Sequence, residues 1–120
     1  MRAVEQKTYF STKFKAYLPY FSDSRVINAT DTATTVDIAA NEEMVITSIY
    51  VVCGGTATDV VIEDGAGNEK YRITLAANAD KFLNNLEIPI GTQLRVYCSV
   101  GGATATVNLN YRMTINPERI

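Results

Sequence analysis

The side chains that could perform chemistry in this chain are few, because its 120 residues include no histidine. Histidine is the usual general base near neutral pH and the commonest metal ligand, so Ser-His-Asp and Cys-His arrangements are excluded. The adjacent acids Glu42-Glu43 and Glu63-Asp64 could serve as an acid–base pair, but adjacent acids at strand ends are typical of solvated turns. The sequence therefore predicts no catalytic residue and a protein that is not an enzyme.

Three oxygen-bearing side chains, Asp59, Asp64 and Asn68, could surround a calcium ion, for which oxygen ligands suffice. Their spacing departs from the helix-loop-helix calcium pattern. The dipeptides Asp64-Gly65 and Gly67-Asn68 are already explained as turn residues. We therefore expect neither a metal ion nor a cofactor.

Cys53 and Cys98 are the two cysteines, and each lies at the end of an apolar strand pattern. A buried free thiol in such a position behaves as a small hydrophobic group. A disulfide between adjacent strands is the alternative, although a domain of this size does not need one to fold. The sequence favours two buried free thiols.

The elements that position these residues follow a period of two. From Gln93 to Ile115, apolar and polar residues alternate in two runs that are separated by Gly101-Gly102. This pattern predicts an antiparallel hairpin with one buried and one solvated face. The second run is long enough to cross the domain, and we expect it inside a sheet because a long exposed edge invites aggregation.

Six further strand candidates precede this hairpin, with turn residues between them, and no convincing helical pattern follows Ser24. The eight candidates are residues 25–27, 34–39, 43–53, 58–63, 71–75, 86–90, 94–100 and 104–115, with a polar loop at 76–81. Short strands at this spacing predict an all-β fold, an eight-stranded antiparallel β-sandwich of the jelly-roll kind. Its predicted core residues are Val36, Ile38, Val45, Ile49, Val60, Ile62, Leu86, Ile88, Leu94, Val96, Val107, Leu109 and Tyr111.

The strand at 43–53 is unusual because neither of its faces is polar. Val45, Ile49, Val51 and Cys53 form one face, and the other face consists of Met44, Ile46, Tyr50 and Val52. Such a strand is either covered on both sides or part of a subunit contact. We predict that Met44, Ile46, Tyr50 and Val52 contribute to an interface through which the chain self-associates.

Residues 1–21 differ from the remainder, residues 22–120, and we treat them as an N-terminal arm preceding the sandwich domain. Four cations against one anion give the arm a charge of +3, and the net charge of -2 leaves -5 for the rest. The arm also holds six of the eleven aromatic residues, and its periodicity fits a helix and a strand equally. The predicted contact residues of the arm are Tyr9, Phe10, Lys13, Phe14, Lys15, Tyr17, Tyr20 and Phe21.

Two interpretations of this arm remain open. It folds back and closes the end of the sandwich, or it leaves the domain and docks on a neighbouring subunit through its aromatic residues. Stacking of nucleic-acid bases on these rings is disfavoured by the acidity of the body. The small net charge and the lack of a long apolar segment likewise predict no membrane partner, and no signal peptide is visible, so we expect a soluble protein made inside a cell.

The chain consists of an aromatic arm and a small β domain, and the domain contains the segments ITSIYVVCGG, VVIEDGAGN and LEIPIGTQLRVYCSVGGATATVNLNY. In this arrangement it resembles the small jelly-roll proteins of tailed-bacteriophage virions. The resemblance covers about residues 39–115. It implies a structural protein of the virion, assembled in the host cytoplasm, most specifically a capsid decoration (cement) protein. It also implies a homotrimer that binds the major capsid protein or another virion protein. A neck or tail component is the alternative within that class.

A carbohydrate- or receptor-binding module on the same fold is the other hypothesis. Sugar sites usually present aromatic platforms, so the absence of tryptophan and the crowding of aromatic residues into the arm count against it.

Overall fold

The computed structural model describes residues 5–11, 16–29, 38–39 and 42–115, with side chains for 21–29, 38–39 and 42–114. The described residues form nine β-strands and no helix. In chain order the strands are β1 (Glu5–Ser11), β2 (Ala16–Asn28), β3 (Glu42–Cys53), β4 (Thr58–Glu63), β5 (Glu69–Leu75), β6 (Asp80–Leu83), β7 (Ile88–Ile90), β8 (Arg95–Cys98) and β9 (Thr104–Ile115).

The strands form two antiparallel sheets. The large sheet has the order β1-β2-β9-β3-β6. β7 also pairs with β3, at residues 44–46, whereas β6 pairs with it at residues 49–52. The small sheet has the order β5-β4-β8. The predicted all-β antiparallel sandwich is thus confirmed, and β9 occupies the interior position expected for the long last strand.

The core lies between the two sheets, where every second residue points inward because side chains alternate along a strand. Tyr111 is the largest fully buried side chain, and its ring stacks on that of Phe21 with the centroids 5.3 Å apart. Ile38 and Leu86 are partly buried against the core, and Val36 lies outside the described residues. Predicted core residues found in the core cluster are Ile49, Val60, Ile62, Ile88, Leu94, Val96, Val107, Leu109 and Tyr111.

A β-bulge at Thr47 reverses the faces of β3. Ile46 pairs with Tyr111 of β9 and Ser48 pairs with the preceding residue of β9, Asn110, so Thr47 is one extra residue in β3. An extra residue shifts the alternation by one, and every side chain beyond it changes face.

The prediction that Met44 and Ile46 share an exposed face with Tyr50 and Val52 is therefore wrong. Met44 and Ile46 are completely buried in the core cluster, whereas Tyr50 and Val52 are exposed. Val45, which was predicted for the core, is buried outside the core cluster, where it pairs with residues of β7 and β9.

The hairpin predicted for the two C-terminal strands is also wrong. β8 pairs with β4 in the small sheet, whereas β9 pairs with β2 and β3 in the large sheet. The connection passes from one sheet to the other, and Gly102 adopts a φ of 82° in it, which glycine allows without steric cost. Alternation shows that each strand has one buried face and does not identify the neighbouring strand.

The segment after β5 contains a strand where the sequence predicted only a loop. β6 begins at Asp80 and pairs with β3 from Ile49 to Val52. Three of its four residues are exposed. Because β6 is a short edge strand, it lacks the apolar alternation that identifies a buried one.

The predicted boundary between residues 21 and 22 falls inside β2, which continues from Ala16 to Asn28. Residues of the arm form β1 and the first part of β2, which pair with each other as an antiparallel hairpin. Only the part of β2 from Tyr20 onward also pairs with β9. The hairpin therefore continues the large sheet, and independent folding of residues 22–120 stays a prediction.

Candidate interaction face

Most of the exposed apolar side chains of the described residues share one surface. Five large hydrophobic residues are exposed among the described residues, and four of them, Val26, Tyr50, Val52 and Phe82, belong to the large sheet. Val26 is 71% exposed and Phe82 is 60% exposed. The fifth, Val100, lies in the connection between β8 and β9.

The strand register places these four side chains on the outer face of the large sheet. Thr106 of β9 pairs with Val26 on one side and with Val52 on the other. Tyr50 pairs with Asn108 and with Phe82. Since directly paired residues point to the same side of a sheet, all these side chains face outward together.

We define the large-sheet outer face by the twelve residues in this register, from Thr104 to Asn110 of β9, that are not buried; Ser48, which pairs with Asn110, is buried. They are Ser22, Ser24, Val26, Asn28, Tyr50, Val52, Asp80, Phe82, Thr104, Thr106, Asn108 and Asn110. Asp80 is the one residue among them with a charged side chain at neutral pH, and the next outward residue of β9, Arg112, lies beyond the face and is paired with Glu87. An apolar centre with an uncharged polar surround can be covered by another surface without the burial of several charges.

Asp80 forms a hydrogen bond with the neighbouring tyrosine. The Tyr50 hydroxyl donates to Asp80 Oδ2 over 2.9 Å. This hydrogen bond and the negative charge of Asp80 raise the pKa of Tyr50 above its ordinary value. Tyr50 therefore remains a neutral donor well above neutral pH, and its ring is held beside Phe82 on the face.

The outer surface of the small sheet has the opposite character. Its residues, which we call the small-sheet outer face, are Asp59, Val61, Glu63, Glu69, Arg72, Thr74, Arg95 and Tyr97. Five of these eight carry a charge. Val61 is fully buried at the centre, although it is not part of the core cluster.

Arg72 joins two carboxylates on this small-sheet outer face. Its guanidinium lies 2.8 Å from Asp59 Oδ2 and 2.7 Å from Glu69 Oε1. These hydrogen bonds lower the pKa of both carboxyl groups and raise that of Arg72. Because both carboxylates are held ionised, neither is suited to donate a proton as a general acid.

Tyr97 and Arg95 both contact Glu63 on the same face. The Tyr97 hydroxyl donates to Glu63 Oε2 over 3.1 Å, and Arg95 lies 3.5 Å from Glu63 Oε1. Partial burial and the hydrogen bond to Glu63 raise the pKa of Tyr97. The small-sheet outer face is thus a paired, solvated surface.

Two shallow depressions open on the described surface. One, of about 270 Å³, lies at the bulge and is lined by Thr47, Asn84, Asn85, Leu86, Glu87 and Arg112. In it Arg112 forms two hydrogen bonds with Glu87, of 2.6 and 3.2 Å. The other, of about 260 Å³, lies near Thr58 and Ser99. Asp59 also lines the second depression, and its carboxylate is paired with Arg72, which lowers its pKa.

The three residues considered for calcium serve other roles. Asp64 Oδ1 accepts hydrogen bonds from the backbone N–H groups of Ala66 and Asn68, and Oδ2 accepts one from the Asn68 side chain. Asp59 is paired with Arg72. Within the described residues, no group of three or more Cys, Asp or Glu side chains could hold a metal ion. Asp64 is therefore a residue that stabilises its turn.

Both cysteines are buried free thiols, as the sequence favoured. Cys53 Sγ lies 3.2 Å from the carbonyl oxygen of Thr56, to which it donates a hydrogen bond. Burial raises the pKa of the Cys98 thiol, and the nearby Cys53 adds to the shift. A protonated, buried thiol is a poor nucleophile.

The predicted contact residues have different locations. Tyr50 and Val52 lie on the exposed large-sheet outer face, and their contact with a partner stays a prediction. Phe21, predicted as a contact residue, is instead buried against Tyr111, and this corrects the prediction, as does the burial of Met44 and Ile46.

For the other predicted residues of the arm, the structure describes at most the backbone. Tyr9 and Phe10 lie in β1, and Tyr17 and Tyr20 lie in β2. Lys13, Phe14 and Lys15 lie outside the described residues. Their role in attachment stays a prediction.

Sequence reasoning missed two residues of the face, Val26 and Phe82. Val26 was placed in a strand, but a run of three residues does not show which side is buried. Phe82 follows a segment interpreted as a loop. An isolated aromatic residue in a polar stretch was the one available signal for it.

Comparisons with known proteins add a remote fold likeness. No protein-family model matches the chain, and no curated protein matches its sequence. Among solved structures, a carbohydrate-binding module from Cellvibrio mixtus lichenase 5A, in complex with cellotriose, is similar at 14% identity and a TM-score of 0.31. The match covers 95% of this chain and 88% of that one. This similarity is too weak to assign a ligand or a function to the chain. No helix among the described residues is long and apolar enough to cross a membrane.

Proposed function

We propose that this chain is a non-enzymatic structural protein of a tailed-phage virion, a capsid decoration protein that associates with itself and attaches to the shell. The observation that supports a binding role is the concentration of exposed apolar residues on one nearly uncharged face. Val26, Tyr50, Val52 and Phe82 lie there together. Exposed aromatic and aliphatic side chains surrounded by polar residues are typical of protein contact surfaces.

The two outer faces suggest how the molecule is oriented in an assembly. Covering the small-sheet outer face would remove five charged groups from water, and even paired charges seldom regain on burial the free energy lost by their desolvation. The large-sheet outer face has one charged group, Asp80. The assembly contact therefore uses the large sheet, and the small sheet faces solvent.

The attachment role belongs to the N-terminal hairpin of β1 and β2. The Thr8–Pro19 and Ser11–Ala16 pairs belong to its distal part, which pairs with no third strand among the described residues. The arm has a charge of +3 against -5 for the rest of the chain. A basic element on an acidic body can approach an acidic surface, such as that of a major capsid protein, with less repulsion.

The test is co-sedimentation with purified capsids that lack this protein. We expect the full chain to sediment with them. The chain carrying Phe10→Ser, Phe14→Ser and Tyr17→Ser should not, while it retains a cooperative thermal transition. Val100→Lys is the matched control with normal binding, because Val100 lies far from the hairpin in sequence and outside the large sheet. Failure of the full chain to bind, or unchanged binding of the triple variant, would contradict the proposal.

A carbohydrate-binding module is the second candidate, and one specific observation favours it. Tyr50 and Phe82 are paired exposed aromatic residues, with the Asn108 amide directly across β3 from Phe82. Aromatic rings next to amides suit the apolar faces and hydroxyl groups of sugars. Binding to a panel of neutral glycans that is lost in Phe82→Ala, without capsid binding, would select this candidate.

A further inference from the structure

We propose that the large-sheet outer face is the contact surface for a second copy of this chain, related by a twofold axis. The inference rests on the self-association in the proposed function and names its geometry. A twofold contact uses the same patch on both copies, whereas a contact between unlike patches requires two complementary surfaces.

The described surface provides one apolar patch. Four of its five exposed large hydrophobic residues share the large-sheet outer face, and Val100 stands apart from them. A sheet face can be covered by one opposing sheet, as in sandwich packing with a separation of about 10 Å. Around a threefold axis, only a strip of such a face would be covered. A single patch on one sheet face thus favours pairing over a ring of three.

The charges permit this face to meet itself. Two identical charged surfaces repel each other, but this face has one charged residue among twelve. Asp80 lies in the edge strand β6, at the margin of the patch, and its carboxylate accepts the hydrogen bond from Tyr50. If the axis runs parallel to the strands, β2 of one copy lies over β6 of the other. Val26 then lies opposite Asp80 of the second copy, with Phe82 one residue pair farther along β6, and Tyr50 and Val52 lie near the centre.

The size of the face sets the size class of the contact. Four strands at about 4.8 Å spacing are about 19 Å wide. Four rows of paired residues along β9 extend about 27 Å, since every second residue advances about 6.7 Å. The footprint is about 500 Å² per copy, or about 1,000 Å² in total, at the lower limit for a specific interface. We therefore expect a reversible pair that dissociates on dilution.

The experiment is sedimentation equilibrium of the full chain across a range of micromolar concentrations. The monomer mass is 13.2 kDa, so a pair has about twice this mass. We expect the mass to rise to that of a pair. Val26→Lys combined with Phe82→Lys should weaken association at least tenfold. Val26→Glu combined with Phe82→Glu should do the same, and mixing the two variants should restore a mixed pair.

Val100→Lys is the control, since it changes an exposed apolar residue outside the face in the same way, and should pair normally. Both changed positions are more than half exposed, so the variants should keep the thermal transition of the unchanged chain. A mass of three copies, a monomer at all concentrations, or pairing unaffected by the charge substitutions would overturn the twofold contact. Capsid binding is measured separately, so a failure of pairing is distinguishable from a failure of the proposed function.

Discussion

Replacing Ile46 by Ala tests the reversal of faces in β3. Ile46 is fully buried and pairs with Tyr111 and Ile88. The substitution removes three buried carbons, worth about 2.4 kcal/mol at about 0.8 kcal/mol each. The unfilled cavity adds to this loss, so we expect destabilisation by about 3–4 kcal/mol.

Val52→Ala is the matched control on the same strand. It removes two carbons from a side chain that is 36% exposed, and should cost about 1 kcal/mol or less. For 120 residues, the unfolding entropy of about 0.25 kcal/mol/K converts these losses to Tm decreases of about 12–16 °C and about 4 °C or less.

The assay is reversible thermal and urea unfolding followed by circular dichroism, at a concentration where the chain is monomeric. Because Thr47 shifts the alternation, Ile46 and Val52 lie on opposite sides of the sheet. Equal Tm decreases for the two variants would refute that assignment. Normal stability of Ile46→Ala would refute it also.

Two further predictions concern titration and thiol access. Hydrogen bonds from the backbone and side chain of Asn68 and from the backbone of Ala66 lower the pKa of Asp64. The ionised Asp64 therefore stabilises the folded chain fully above the ordinary Asp pKa, and this contribution to stability is lost as pH falls through the lower pKa of the folded state. Asp64→Asn should therefore lower Tm at neutral pH, and the difference from the unchanged chain should shrink toward about pH 2; a constant difference would contradict this role. Because Cys53 and Cys98 are buried and the pKa of Cys98 is raised, a thiol reagent should label both at the rate of unfolding, and rapid labelling of the folded chain would contradict their burial.

The sequence predicted those parts of the fold that depend on local patterning. In β4 the inward-facing Val60 and Ile62 are flanked by the polar Asp59 and Glu63, and β9 alternates over its whole length, so both strands and their inward faces were predictable. Burial of one face of a strand requires apolar residues at every second position, and this pattern can be recognised directly in the sequence. The absence of histidine was equally informative, because it removed the usual general base from consideration.

Strand pairing was not predictable in the same way. The patterns of β8 and β9 are compatible with a hairpin and with strands in opposite sheets, because each requires only that one side of the strand be buried. β6 left almost no pattern, since as an edge strand it exposes most of its side chains.

Identifying the candidate site required both the sequence and the tertiary structure. The apolar character of Tyr50 and Val52 is visible in the sequence alone, and it predicted a contact surface on β3. The extent of that surface depended on the tertiary structure, because the extra residue at Thr47 moved Met44 and Ile46 into the core. Pairing with β2 and β6 then added Val26 and Phe82, residues distant in sequence. Composition and alternation thus determined that this protein is a β-sandwich without histidine, whereas register, which is set by packing between distant strands, decided which apolar residues are exposed on its surface.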